Sequence, residues 1–316
     1  MENQISNINL RKDLNGLRFI SVIAVILFHS KISLFNSGYI GVDIFFVLSG
    51  FFITQILINE KIKYGNINIV NFLNKRFRRI FPALIITILI SSFVIYFFLY
   101  SIEYADVVKK SIISSATYLS NFYYYQYFGN YFVQSSDYLM LFHTWSLSIE
   151  IQFYIFFAFF YFIIFKINFF YRYLKQIIIL LLLFSFFCTQ MGANLKTEFP
   201  FIENTSNFYF FNQPWWASFY FPLSRLWEFL FGSLAAVYLA NNKINSNNII
   251  SLFGIISIII SFIIFNDSIL HPSIFTLLPV FGTYLLIIYN NDQKSFLNKI
   301  IGSKNNKAII IKFFLL

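Results

Sequence analysis

An arginine and a histidine stand eleven residues apart in the first apolar run of the chain, Arg18 and His29 in LNGLRFISVIAVILFHS (14–30). On an α-helix that spacing is about three turns, with roughly 20° of residual rotation and a rise of about 16 Å, so both side chains share one face. An ionisable group inside a membrane span is costly and by default marks a functional site. An imidazole can take and return a proton near neutral pH, and a guanidinium can hold an anion without losing its charge. Two carboxylates lie in later apolar runs, Asp43 (GYIGVDIFFVLSG, 38–50) and Glu150 (HTWSLSIEIQFY, 143–154). Either could fix the tautomer of His29 and stabilise its imidazolium, as general-base chemistry requires. The same groups could equally satisfy one another and hold helices together.

The elements that must position these groups are membrane helices. Of 316 residues, 58% are hydrophobic and 11% charged, and the mean hydropathy is +0.68. A soluble domain cannot bury that much apolar surface. The expectation is an all-α, polytopic transmembrane helical bundle forming one membrane-embedded domain over 1–316. About eight clear spans fall near 15–35, 38–58, 80–100, 144–165, 174–192, 222–240, 248–265 and 272–289. Residues 107–128 (VVKKSIISSATYLSNFYYYQYF) are too polar and Tyr-rich for an obvious span and read as an interfacial or re-entrant segment.

Charge supports that reading. If 107–128 does not cross, Arg11, Lys12, Lys61, Lys63, Lys75, Arg76, Arg78, Arg79, Lys166, Arg172, Lys243 and the lysines from Lys294 onward share the cytoplasmic side. The outer segments then keep little beyond Lys31, Lys109, Lys110 and Lys196, and both termini are cytoplasmic. The net charge of +10 thereby has a membrane explanation, with no nucleic acid as partner. Cys188 is the single cysteine, which excludes an intrachain disulfide, and no metal site is expected. The first span has no small-residue cleavage site and reads as an uncleaved anchor.

On the inner side, NFLNKRFRRIFPAL (71–84) gathers Lys75, Arg76, Arg78 and Arg79 at the mouth of the third span. Arg76 and Arg79 are an i, i+3 pair on one helix face. Such guanidinium pairs grip phosphate, although a basic cluster beside a span is also ordinary topology signal and lipid headgroup contact. Pro82 suits the first turn of that helix. The small pair Ser49 and Gly50 permits close backbone approach by another helix or a ligand. His143 and Trp145 fall at the outer interface, where tryptophan is expected. Arg225 and Glu228, in SRLWEFLFGSLAA (224–236), read as an ion pair or substrate support, and His271 as a structural residue of a short outer loop.

Five segments together resemble the integral-membrane acyltransferase 3 family, which includes O-antigen and other surface-glycan O-acetyltransferases. They are LNGLRFISVIAVILFH (14–29), GYIGVDIFFVLSGFFIT (38–54), FLNKRFRRIFPAL (72–84), HTWSLSIEIQFY (143–154) and SRLWEFLFGSLAA (224–236), in the family's order. The resemblance implies acyl-CoA, commonly acetyl-CoA, as a co-substrate reached from the cytoplasm, with no tightly bound cofactor. It implies a carbohydrate hydroxyl as acceptor, on a cell-surface or lipid-linked glycan such as O-antigen, lipopolysaccharide or exopolysaccharide. The location implied is a bacterial cytoplasmic (inner) membrane. His29 and Arg18 carry over as the family's catalytic pair, and Arg76 and Arg79 as its second arginine motif.

The chain departs from the family pattern twice. Glu150-Ile151-Gln152-Phe153-Tyr154 stands where the family reads Glu-Glu-Gln-Phe-Tyr, so one carboxylate is missing. Family members also continue with further spans, whereas this chain stops after IIGSKNNKAIIIKFFLL (300–316), whose last apolar stretch is too short to cross. The expectation is a C-terminally truncated domain. An inactive remnant and a glycolipid transporter are the alternatives, and the acceptor and oligomeric state are not encoded in any motif.

Overall fold

The structure is a computed structural model that describes residues 11–32, 35–99, 105–128, 140–194, 218–242, 245–266 and 269–290. Among these residues every regular element is helical and no strand occurs. In chain order the helices are α1 (Lys12–His29), α2 (Gly41–Tyr64), α3 (Ile69–Val94), α4 (Ala105–Ala116), α5 (Ser120–Phe128) and α6 (Thr144–Lys166). After them come α7 (Asn168–Arg172), α8 (Leu174–Asn194), α9 (Pro222–Asn241), α10 (Asn248–Ile264) and α11 (Leu277–Tyr289).

Among the described residues four stretches are long and apolar enough to cross a membrane: Gly38–Tyr64, Ile69–Phe97, Thr144–Lys166 and Pro222–Asn241. The expected count was about eight, and these four are the ones that length and composition support. Leu174–Gln190, Asn248–Ile264 and Ile274–Tyr289 are apolar but shorter, and α1 has 18 residues that include Lys12, Asp13 and Arg18. The segment over 107–128 is broken, as its polarity implied. α4 and α5 are separated at Tyr118, whose φ is 56°. Twelve and nine residues rise only about 18 and 14 Å as helix, against a hydrocarbon core of about 30 Å.

Two boundaries move site residues. α1 stops at His29, and Lys31 follows in the left-handed region at φ 55°. His29 is therefore the last helical residue instead of lying a turn or two inside a span reaching 35. α3 begins well before the apolar run, because the Asn68 side chain caps it by accepting from the Asn71 N–H at 2.9 Å. Lys75 to Arg79 consequently sit within the helix, and Pro82 lies in its interior rather than its first turn. There the proline ring leaves the Arg78 carbonyl without its intrahelical donor.

The chain forms two compact units. The first comprises Met1–Ile67, Tyr161–Leu183 and Trp227–Leu315. Its core is α2, which packs directly on α9 because both helices have glycine at the crossing. A Cβ on Gly50 would overlap the Phe229 carbonyl, and one on Gly232 would overlap that of Val47. Backbones in such contact gain van der Waals energy that membrane helices cannot obtain from the hydrophobic effect. Polar pins flank the contact: Thr54 donates to Ser233 at 2.9 Å, and the Ser233 and Tyr161 hydroxyls are 2.5 Å apart.

At one end of this unit Arg11 closes the fold. It was expected as a cytoplasmic loop cation, yet it is buried. It pairs with Asp13 at 2.9 Å and donates to the Ile287 carbonyl at 3.0 Å. The last turn of α11 exposes unpaired carbonyls and the negative end of its dipole, so a guanidinium satisfies both.

The second unit comprises Asn68–Phe160 and Phe184–Leu226, with Leu316. Its organising element is α6, where Thr144, Ser148 and Gln152 recur at i, i+4 and i+8 and so form one polar stripe. Against that stripe lie the hydroxyls and amides of the broken segment. Ser115 meets Thr144 at 2.8 Å, Ser120 meets Ser148 at 2.7 Å, and Gln152 donates to Asn121 at 3.0 Å. Ser111 and Tyr124 close the cluster at 2.6 Å. Burial pushes the Tyr124 phenol up, while hydrogen bonds with Ser111, Ser115 and Thr144 pull it part of the way back.

Candidate active site

In the first unit, α1 runs unbroken through Arg18 and His29, so the three-turn spacing that sets them on one stripe is realised. Arg18 is half-buried. Its guanidinium lies 4.2 Å from the centroid of the Phe52 ring and 5.6 Å from that of Phe45, both on α2. A cation over two ring faces is held in place without neutralising its charge. His29 is exposed at the end of α1. There an imidazole can exchange protons with its surroundings.

Asp43 was expected to orient His29. The structure sets its fully buried carboxylate 3.3 Å from the Nε2 of His271. The other ring nitrogen, Nδ1, is 3.2 Å from the Thr276 hydroxyl, which accepts from the Ser273 N–H at 3.0 Å. Tyr39 and Phe265 present their edges to the imidazole at centroid distances of 5.0 and 5.9 Å. His271 was assigned only a structural place in a loop. Its partner is far away in sequence, and no local pattern announces it. Gly50 lies in the α2–α9 contact, the helix approach that its size permits, and Ser49 beside it is buried.

In the second unit, Arg76 and Glu150 were assigned to opposite sides of the membrane. One tyrosine links them. The Tyr154 hydroxyl donates to Glu150 Oε1 at 2.5 Å, and Arg76 lies 5.6 Å from the centroid of the same ring. Glu150 was also expected to orient His29, so each carboxylate has a partner that the spacing did not name. The i, i+4 relation of Glu150 and Tyr154 was the available signal. Arg76 is half-buried and also faces Phe72 at 5.6 Å, whereas Lys75, Arg78 and Arg79 are exposed along α3. Arg76 is thus held against two rings, and the other three cations lie exposed along the same helix.

Trp145, expected at the outer membrane interface, is buried in this unit. Its ring lies 4.6 Å from Phe219, and the guanidinium of Arg225 sits 4.7 Å from the Phe219 centroid and 5.8 Å from that of Trp145. Arg225 is completely buried and donates from Nε to the Phe219 carbonyl at 3.0 Å. Glu228, one turn along α9, is completely buried in the first unit. His143 is exposed in the turn that precedes α6. Among the described residues no group of three His, Cys, Asp or Glu could hold a metal ion.

Taken separately, the first unit offers an exposed acid–base group on the same helix as a fixed cation, and the second an arginine cluster backed by a hydrogen-bonded carboxylate. Comparison with known proteins gives these features a context. The peptidoglycan O-acetyltransferase OatA of Listeria monocytogenes is 39% identical over 142 residues, covering 45% of this chain and 22% of the relative. The O-acetyltransferase OatA of Staphylococcus aureus strain NCTC 8325 is 35% identical over 144 residues, covering 46% of this chain and 23% of the relative. The matched segments therefore span under a quarter of those curated relatives. No solved structure matches the chain. A family model described as an acyltransferase domain matches residues 11–311, nearly the whole sequence, and the chain belongs to that acyltransferase family.

Proposed function

We propose that this membrane protein is an O-acyltransferase that moves an acyl group, the acetyl group in the first instance, from acyl-CoA to a hydroxyl of a cell-surface or lipid-linked carbohydrate. The observation that carries the reading is the pairing, on α1, of an exposed imidazole with a guanidinium fixed over Phe45 and Phe52, within a chain of the acyltransferase family. The names of the relatives support O-acetylation, and that of the Listeria protein makes a peptidoglycan glycan strand an acceptor to test beside O-antigen and exopolysaccharide.

The chemistry divides into two tasks. Arg76 and Arg79, with Lys75 and Arg78, take the phosphates of acyl-CoA, because guanidinium forks match phosphate oxygens and keep their charge. His29 accepts the proton of the sugar hydroxyl as its oxygen attacks the thioester carbon, while Arg18, about 16 Å away along α1, adds its positive charge to the binding of the donor's phosphates. Collapse of that intermediate expels CoA thiolate, and the proton on His29 returns to sulfur. Asp43 and Glu150 act by fixing the polar groups around them. The three shorter apolar helices and α1 cross the membrane as well, which keeps both termini in the cytoplasm of a bacterial inner membrane.

The test is acyl transfer in membranes containing residues 1–316, supplied with radiolabelled acetyl-CoA, beside His29→Ala. Label entering surface glycan with His29 and not without it is the expected result. Transfer unaffected by the substitution would remove the central assignment.

A further inference from the structure

Tyr154 belongs to none of the tasks above, yet it touches one member of each kind. It is buried on α6, its hydroxyl donates to the Glu150 carboxylate at 2.5 Å, and its ring lies beneath the Arg76 guanidinium at 5.6 Å. A phenol bonded to a carboxylate cannot rotate without breaking a short, charge-assisted hydrogen bond. A ring so fixed in turn gives the guanidinium a single preferred seat, because the attraction acts only over the ring face. Glu150 is one turn N-terminal to Tyr154 on α6, so the carboxylate, the phenol and the arginine form one chain of contacts from α6 to α3.

We infer that Tyr154 is a positioning residue that joins the carboxylate of α6 to the anion-binding arginine of α3 and holds both in register for the donor. The inference rests on the donor role proposed for Arg76, and the two halves of the tyrosine separate its contributions. The hydroxyl serves Glu150, and the ring serves Arg76. Tyr154→Phe removes the first and keeps the second, whereas Tyr154→Leu removes both. Neither variant introduces a charge or a larger side chain into the packed face of α6.

The experiment uses the full chain purified in lipid nanodiscs, with CoA as the binding probe and acetyl-CoA as the donor for turnover. Tyr154→Phe is expected to bind CoA as the native chain does while kcat falls about tenfold or more, the scale of one lost charge-assisted hydrogen bond. Tyr154→Leu is expected to lose the same turnover and to raise the KM for acetyl-CoA severalfold as well. A purely packing role would lower the apparent kcat of both variants in proportion to their folded fraction, leave KM unchanged in both, and vanish when rates are normalised to folded protein. An unchanged kcat in Tyr154→Phe, or unchanged CoA binding in Tyr154→Leu, overturns the inference.

If the native chain neither binds CoA nor transfers acetyl, the proposed function fails and the inference is judged separately by thermal melts. Tyr154→Phe, Glu150→Gln and their combination then form a double-mutant cycle. Coupled effects on the melting temperature uphold the contact, and additive effects overturn it.

Discussion

The imidazole of His271, just ahead of α11, meets the carboxylate of Asp43, in the first turn of α2, at 3.3 Å. The two side chains are 2% and 0% exposed, so neither has water to fall back on. Removing one member of such a buried pair costs on the order of 3 kcal/mol. His271→Phe keeps the ring contacts with Tyr39 and Phe265 and removes only the nitrogens. It is expected to lower the melting temperature of the detergent-solubilised chain clearly. A superimposable melting curve would mean that the pair contributes nothing to the fold.

Gly50→Ala tests the α2–α9 contact. One methyl group would have to occupy the space of the Phe229 carbonyl oxygen, which is backbone and cannot rotate aside. Overpacking of this kind costs about 1–3 kcal/mol even where side chains can yield, and more against backbone. The expected outcome is a sharp fall in monodisperse protein on size-exclusion chromatography, with the same result for Gly232→Ala. Normal yield and elution would show that these helices can separate at little cost.

Arg76→Ala is expected to raise the KM for acetyl-CoA about tenfold, with the KM for the carbohydrate acceptor nearly unchanged. Arg76→Lys should recover little of this, since a lysine is a point charge and lacks the planar fork. Initial-rate kinetics with each substrate varied in turn would decide it. A tenfold rise for the acceptor alone would move Arg76 to the other half of the reaction.

His29→Ala should reduce kcat by roughly 10²–10⁴-fold, the contribution of a positioned general base. Because His29 is exposed at the end of α1, the substitution should leave the melting temperature within the experimental scatter. Loss of turnover accompanied by loss of folded protein would point to a structural role instead.

The apolar runs made the helix positions legible, since each run of roughly 20 residues has one stable backbone solution in lipid. The elements that moved did so for local reasons. The polar start of α3 is set by the Asn68 cap, not by hydropathy, and this carried Pro82 from a helix start into a helix interior. The end of α1 follows from backbone geometry at Lys31. Arg18 and His29 could be placed on one stripe because helical periodicity is a property of the sequence itself. The Asp43–His271 pair could not be foreseen, because it depends on how the segment ahead of α11 meets α2. Tyr154 lies between these cases. Its spacing from Glu150 was visible, but only the approach of α3 gives its ring a cation.

The two polar stripes of α6 have a mechanical consequence. Thr144, Ser148 and Gln152 engage the broken segment, while Tyr154, bonded to Glu150 on the same helix, faces Arg76 of α3. A slip of this helix by one residue would advance it about 1.5 Å and turn it about 100°, which would unseat the hydrogen bonds to the broken segment and the Arg76–Tyr154 contact together. Within the second unit α6 is thus a fixed axle. Any movement there that admits a substrate or releases a product must pivot about α6 and be borne by the helices around it.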